Sequence, residues 1–298
     1  MADLGELGVG TWEWGDRAVW GYGSEYGASE VRAAFDAALG CGIRLFDTAE
    51  IYGSGESERL VGGFIRESGA TVAVATKFFP YPGRLFVRGS LLRALESSLE
   101  RLGLDHVELY QIHWPLPLAN TVWADELAAA VESGLTRRVG VSNFGPRKMR
   151  KMHAALLRRG VQLSTNQVQY SLLHRGPEQD GLLRACEELG VQVIAYSPLA
   201  QGLLGGRYSP DNPPPLRRRV QAGGKLQNAW RTLPTVREIA HTRNWTPAQV
   251  ALNWVICHGA IPIPGAKSAE QARENAGALG WRLSADEVDQ LDRVSSEP

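Results

Sequence analysis

Eight short apolar runs alternate along this chain with longer amphipathic segments. Each run has the length of one buried strand, and each amphipathic segment has the length of a helix with one apolar face. A helix between consecutive strands returns the chain to the same end of the sheet, so the pattern predicts parallel strands. Eight strand–helix units in 298 residues favour closure into a (β/α)8 barrel of the TIM type over an open doubly wound sheet.

The same periodicity sets the element boundaries. The predicted strands are 8–12, 44–48, 72–78, 107–113, 138–142, 163–169, 191–197 and 260–263. The predicted helices that follow them are 29–41, 57–67, 89–102, 121–133, 146–159, 179–189, 235–243 and 268–278, with two extra helices at 246–258 and 284–294. We expect residues 1–298 to form one domain.

A proline-rich segment, 209–230, follows the seventh predicted strand and is expected to be a long loop. It contains the basic run Arg217–Arg219. A solvated loop is the simpler interpretation of that run, and a lid that covers a cofactor is the alternative.

Composition argues against several functions. Hydrophobic residues make up 44% of the chain, charged residues 21%, and the formal net charge is +0. We therefore expect no nucleic-acid partner, which would need a basic excess, and no membrane span, which needs a run of about 18 apolar residues. Cys41, Cys186 and Cys257 lack the spacing of metal ligands, so we expect no metal site, reduced and buried thiols, and a cytoplasmic location.

Polar side chains end several predicted strands. In the third strand Ala73, Ala75 and Lys77 share the small face that suits the inside of a barrel. Burying a lysine charge costs several kcal/mol unless the charge is paired. The other polar residues at or near strand ends are Asp47, His113, Asn143, Gln167 and Tyr196. Barrel active sites form at this end of the strands, although a turn-forming role is an equal alternative for Asn143.

These residue types suit one chemistry. Asp47 and Lys77 can pair, and a lysine beside Tyr52 is expected to lower the pKa of the phenol from its usual ~10. Such a phenol can act as a general acid, and His113 can donate a hydrogen bond to an oxygen that gains negative charge. An acid and an oxyanion donor without a nucleophile suit addition to a carbonyl group, with a hydride that a cofactor must supply.

From about residue 7 to about residue 294 the chain resembles the aldo-keto reductases, and most of all their bacterial, cyanobacterial and plant-plastid branch. The matching segments, in order, are FDTAEIYG (46–53), VATKF (74–78), QIHWP (111–115), GVSNF (140–144), NQVQYS (166–171), AYSPLAQGLL (195–204) and IPGAKSAEQARENAGAL (263–279). The resemblance implies a (β/α)8 barrel that binds NADPH or NADP+ without a Rossmann domain and acts on a small-molecule carbonyl substrate.

The resemblance also implies residue roles. Asp47, Tyr52, Lys77 and His113 match the catalytic tetrad of the family, in which the tyrosine protonates the carbonyl oxygen. The residues that match the cofactor contacts are Ser142, Asn143, Gln167, Tyr196, Ser197, Leu199, Gln201, Gly202, Gly265, Lys267, Ser268, Gln271 and Asn275. Lys267 and Ser268 open a predicted helix, where backbone N–H groups and a cation suit the adenosine 2′-phosphate.

Two tryptophans are expected near the substrate. Trp12 and Trp114 lie at or just beyond strand ends and are predicted to line the opening; loop packing is the alternative, and it is favoured for Trp14. Two other functions stay open, namely a pyridoxal reductase and a binding subunit that senses nicotinamide redox state with slow turnover. We expect a monomer or a weak oligomer.

Overall fold

A computed structural model of the chain describes residues 4–116, 121–215 and 224–296. Eight parallel strands form one sheet in sequence order: β1 Gly8–Gly10, β2 Leu45–Asp47, β3 Ala73–Phe78, β4 Val107–Ile112, β5 Thr136–Ser142, β6 Leu163–Gln169, β7 Gln192–Tyr196 and β8 Ile261–Ile263. A parallel bridge between Gly10 and Gly265 joins the first strand to the segment after the last. The predicted (β/α)8 barrel is therefore confirmed.

Helices surround the sheet. In chain order they are α1 Arg17–Trp20, α2 Ala28–Gly40, α3 Glu56–Ser68, α4 Ser90–Leu102, α5 Ala124–Glu132, α6 Pro146–Leu157, α7 Gly176–Gln179, α8 Leu182–Leu189, α9 Lys225–Arg243, α10 Pro247–Cys257, α11 Ala269–Ala276 and α12 Ala285–Ser295. Short 3₁₀ turns occupy Tyr52–Gly55, Pro82–Phe86 and Ala200–Gly205. Within the described ranges, no helix combines the length and the apolar character needed to cross a bilayer.

Capping side chains set where the last helices begin. The Thr246 hydroxyl accepts from the backbone N–H of Gln249, whose side chain returns to the Thr246 N–H. Ser284 and Glu287 form the same reciprocal pair at the start of α12. Each box satisfies two N–H groups that a helix leaves unbonded, so both starts were readable from sequence.

The two faces of the sheet pack differently. Inside the barrel, Ala73 and Ala75 join a small buried cluster with Leu45, Leu109 and Ile194. Val74 and Phe78, on the opposite face of β3, belong to the large core under the helices. This is the division that the alternation in β3 predicted. The inside of the barrel therefore holds small residues in its lower part, and Lys77 and the other polar residues lie at the carboxyl ends of the strands.

Two sequence-based expectations are wrong here. Helix α9 begins at Lys225 and runs through Pro234, whereas the sequence placed a loop as far as 230 and a helix only after the proline. Ala229 and Leu233 are buried, and their packing outweighs the local cost of a proline inside a helix. Arg217–Arg219 lie outside the described residues. Cys41 is exposed and Cys257 half-buried, so only Cys186 is the buried thiol expected of all three.

Candidate active site

A buried ion pair forms the floor of the site. Lys77, on β3, is fully buried and pairs with Asp47 at the end of β2; its Nζ also donates to the Thr48 carbonyl at 2.8 Å. Burial is the largest single effect and lowers the pKa of Lys77, but the charges and hydrogen bonds of Asp47 and Tyr52 together outweigh it, so the pKa is raised. Lys77 is therefore held as a cation inside the barrel.

Tyr52 stands above this pair on a constrained turn. Lys77 Nζ lies 3.4 Å from the Tyr52 hydroxyl. The residues after the tyrosine, Gly53 and Ser54, have φ values of 54° and 55°, and a Cβ at Gly53 would lie 2.5 Å from the Gly15 carbonyl oxygen. The turn thus needs glycine at 53, and it fixes the direction from which the phenol enters the site.

Hydroxyl groups anchor the helix that follows the turn. Ser57 Oγ donates to the Thr11 carbonyl at 2.9 Å, and Thr48 Oγ1 donates to Ser57 Oγ at 2.9 Å. All three residues are fully buried. The start of α3 is therefore tied to the ends of β1 and β2, directly beside the tyrosine.

The pKa of Tyr52 moves opposite to the sequence-based expectation. Burial raises it, and the opposing effect of the Lys77 cation is smaller, with Asp47 adding to the rise. The phenol is therefore protonated at neutral pH in this structure. Tyr52 is half-buried and lines the cavity described below.

His113 faces the same space and is uncharged. Burial, with a contribution from Lys77, lowers its pKa to about 3. Its ring meets Tyr52 edge-on, with centroids 5.8 Å apart, and stacks with Trp114 at 6.4 Å. A neutral imidazole in this place can donate or accept a hydrogen bond, but it does not compete with Tyr52 as an acid.

The second oxygen of Asp47 accepts from two amides. Gln167 Nε2 donates to Asp47 Oδ2 at 2.8 Å, and Gln111 Nε2 donates to the same oxygen at 3.3 Å. The sequence assigned Gln167 to the cofactor and gave Gln111 no role. One N–H of Gln167 is thus used inside the protein, which leaves its second N–H and its oxygen for a ligand.

Three further predicted residues form a chain along one wall. Asn143 Nδ2 donates to Ser142 Oγ at 3.0 Å and to the His113 carbonyl at 3.1 Å, and its Oδ1 accepts from the Tyr196 hydroxyl at 3.0 Å. Asn143 has φ 62°, a conformation that asparagine tolerates better than most residues. Asn143 therefore forms a turn and also lines the cavity, and its contact with a cofactor stays a prediction.

A cavity of about 690 Å³ is lined both by these residues and by residues of β8 and α11. Its wall includes a stretch of left-handed backbone, where Ser197, Gln201 and Gly202 have φ of 51°, 56° and 88°. This conformation is strained for Ser197 and Gln201, and strained residues cluster at ligand sites and active sites. The predicted residues that line the cavity are Trp12, Asp47, Tyr52, His113, Trp114, Ser142, Asn143, Gln167, Tyr196, Ser197, Leu199, Gln201, Gly202, Gly265, Lys267, Gln271 and Asn275.

The far end of the cavity differs from the expectation in detail. Lys267 Nζ donates to the Trp20 carbonyl at 3.1 Å and lies over the Trp20 and Tyr26 rings, 5.0 and 4.3 Å from their centroids. Gln271 Oε1 accepts from the Lys267 backbone N–H at 2.7 Å. Ser268 caps α11 and is absent from the cavity wall.

Several residues of the wall were missed by the sequence argument, namely Glu13, Glu25, Arg207, Tyr208 and Glu274. They lie on loops and on α11, where no strand alternation marks the inward face. Among the described residues, no cluster of three or more His, Cys, Asp or Glu side chains is placed to hold a metal.

Known proteins resemble this chain over nearly its whole length. The sequence model of the Aldo/keto reductase family matches residues 6–296. The chain is 44% identical over 305 residues to the chloroplastic pyridoxal reductase of Arabidopsis thaliana, with 98% of this chain and 83% of that protein covered. It is 34% identical over 296 residues to the methylglyoxal reductase YeaE of Escherichia coli, with 99% and 92% covered.

A solved structure shares the architecture. An aldo/keto reductase from Klebsiella pneumoniae, in complex with NADP and acetate, has a TM-score of 0.78 and 32% identity, covering 99% of this chain and 93% of that one. The family match spans nearly all of the described barrel, and both curated relatives exceed 30% identity. The chain belongs to the aldo/keto reductase family.

Proposed function

We propose that the protein reduces aldehydes and ketones to alcohols, with NADPH as the hydride donor and Tyr52 as the proton donor. The observation that carries the proposal is the Tyr52 hydroxyl, 3.4 Å from the buried Lys77 cation, on the wall of the large cavity. Lys77 would stabilise the phenolate that remains when the proton leaves. A phenol held protonated by burial is an acid ready for transfer.

The cavity fits a dinucleotide. Its volume of about 690 Å³ lies within the usual range for cofactor pockets. Bound NADPH would supply a hydride to the carbonyl carbon. Ser142, Asn143 and Gln167 would hold the carboxamide, and the left-handed stretch 197–202 would follow the diphosphate. Lys267 would reach the 2′-phosphate after its ammonium leaves the Trp20 carbonyl.

The residues around the reacting carbonyl group then have separate roles. Tyr52 gives its proton to the carbonyl oxygen and regains one from solvent. Neutral His113 orients that oxygen by a hydrogen bond. Trp12, whose ring stacks with Tyr52 at 6.2 Å, and Trp114 would exclude water from the reacting carbonyl.

The decisive variant is Tyr52→Phe, which removes the acidic proton and keeps the ring. We expect turnover of an activated aldehyde with NADPH to fall by about 100-fold or more, because the proposed proton donor is lost and the neighbouring His113 is uncharged. Consumption of NADPH is followed by its absorbance. Binding of NADPH, measured by fluorescence quenching, should stay close to wild type.

Turnover at the wild-type rate in Tyr52→Phe would refute the assignment of the acid. If wild-type protein binds NADPH but reduces nothing in a broad carbonyl panel, the redox-sensing alternative is supported instead.

A second candidate, pyridoxal reduction, is favoured by the 44% identity to the plant pyridoxal reductase. The half-exposed rings of Trp12 and Trp114 at the opening suit a flat heteroaromatic aldehyde. Comparing kcat/KM for pyridoxal with that for benzaldehyde and methylglyoxal tests this candidate. A pyridoxal value no higher than that for benzaldehyde would argue against it.

A further inference from the structure

Gln111 lies inside the barrel beside the catalytic pair. In the sheet register it is opposite Lys77 of β3 and opposite Gly140 of β5. The side chain is fully buried, and Nε2 lies 3.3 Å from Asp47 Oδ2. No segment of the family resemblance gives this residue a task.

The orientation of the Gln111 amide is set by its neighbour. An ionised carboxylate only accepts hydrogen bonds, so the amide nitrogen and not its oxygen must face Asp47. The Oε1 atom is then buried without a donor among the described residues. Such an atom destabilises the fold, and an apolar side chain of similar length would avoid the cost. Packing alone does not account for a glutamine at 111.

The neighbouring strand makes room for this side chain. A Cβ at Gly140 would lie 3.0 Å from Gln111 Cγ and 2.1 Å from Thr165 Oγ1. The absence of a side chain at 140 thus leaves the space that the Gln111 side chain occupies on its way to Asp47.

We propose that Gln111 is a positioning residue that, together with Gln167, holds Asp47 Oδ2, so that Oδ1 stays on Lys77 and the ammonium stays near Tyr52. The inference rests on the proposed role of Tyr52 as the proton donor. It adds a residue that touches neither substrate nor cofactor and acts through the ion pair.

The expected effect follows from the groups around the phenol. Among the described residues, the titratable groups that face Tyr52 are Lys77, Asp47, His113 and Tyr196. Of these, Lys77 lowers the pKa of Tyr52 and Asp47 raises it. The N–H of the Gln111 amide partly neutralises the negative charge of the Asp47 carboxylate. Losing the donor strengthens the field of Asp47 and draws Lys77 toward it, and both changes make Tyr52 a weaker acid.

The first test is Gln111→Met, which keeps length and volume but removes the donor. We expect kcat for aldehyde reduction to fall roughly tenfold, with KM for NADPH and for aldehyde unchanged. The alkaline limb of the kcat profile should move to higher pH, because it reports loss of the Tyr52 proton. The Tm should be no lower than that of wild type, because a buried oxygen without a donor has been removed.

Gln192→Met, on β7 and outside the wall of the large cavity, is the matched control and should keep the wild-type profile.

The second test is Gln111→Glu. As a carboxylic acid, the new side chain can donate an O–H to Asp47 and should restore kcat above that of the methionine variant at low pH. On raising the pH it ionises beside Asp47, and kcat should drop along a limb that wild type lacks. A role in packing alone would not produce this extra limb.

A wild-type kcat and pH profile in Gln111→Met would overturn the inference. Equal losses in both variants at every pH, with lowered Tm values, would also overturn it in favour of a structural role. The result for Tyr52→Phe separates the two proposals. Turnover in that variant refutes the proton donor itself, whereas an inactive Tyr52→Phe beside a normal Gln111→Met refutes only the role of Gln111.

Discussion

At the scale of single residues, burial sets the charge of the groups around the reacting position. The sequence argument weighed only the charge of Lys77 and therefore expected a lowered pKa for Tyr52, but burial raises it. The same burial keeps His113 neutral. How deeply a side chain is buried is a property of the assembled barrel, and proximity along the chain does not reveal it.

The pKa of His113 gives a prediction for stability. Below about pH 6.5 the unfolded chain takes up a proton on this imidazole, while the folded protein, with its pKa at about 3, does not. Because the unfolded state then binds more protons, the free energy of unfolding should decrease as the pH falls from about 6.5 toward about 3, by up to ~1.4 kcal/mol per pH unit from this group. Urea unfolding at several pH values measures the slope.

The variant His113→Asn should have a shallower slope in that interval. His241→Asn, which replaces an exposed imidazole on α9, is the matched control. Identical slopes for wild type and His113→Asn would contradict the prediction.

At the scale of elements, the approach of α3 to α4 depends on one glycine. A Cβ at Gly62 would lie 2.0 Å from the Leu102 carbonyl oxygen, an atom of the backbone that cannot turn aside. The next residue, Gly63, has no atom within 4 Å of the same position. A side chain at position 62 would therefore push the two helices apart, whereas a side chain at position 63 would meet no other atom.

This pair of glycines provides a prediction with its own control. Gly62→Ala should lower the free energy of unfolding by about 1–3 kcal/mol, because α3 must move away from the end of α4. Gly63→Ala should raise it by about 0.5–1 kcal/mol, because alanine favours the helix and meets nothing. Chemical denaturation measures the free energy of unfolding of both variants. Equal effects would show that the close contact between α3 and α4 does not control the stability of this position.

At the scale of the whole molecule, closure of the barrel brings Lys267 into the same cavity as Asp47 and Tyr52. Ring contacts in the segment before α2 join the two ends of this cavity. Trp20 contacts Lys267 and Trp12, and Trp12 contacts Tyr52. A ligand that occupies the full length would bind only the closed barrel. It should therefore stabilise the native state by an amount that grows with the logarithm of its concentration divided by Kd.

Lys267→Ala tests the 2′-phosphate at this scale. At a concentration of about 100 times Kd, NADPH should stabilise wild type by about 2.7 kcal/mol, seen as a rise in Tm. The variant should bind NADPH roughly tenfold or more weakly, because it loses a charged partner of the phosphate, and should bind NADH as wild type does.

The control for that experiment is Lys151→Ala, which removes an exposed lysine on α6. Equal losses of NADPH and NADH affinity in Lys267→Ala would remove the phosphate role.

The sequence by itself determined the parallel barrel, because eight repeats of a buried run and an amphipathic helix leave few other ways to cover both faces of a sheet. It also determined which residues stand at the strand ends, since alternation fixes the inward direction of Asp47, Lys77 and His113. The tertiary structure decided what no local pattern contains: that Gln111 and Gln167 share one oxygen of Asp47, that Ser268 at the start of α11 does not line the cavity, and that α9 passes through Pro234. Each of these depends on distances between strands or on burial, and both arise only when elements far apart in the chain pack together.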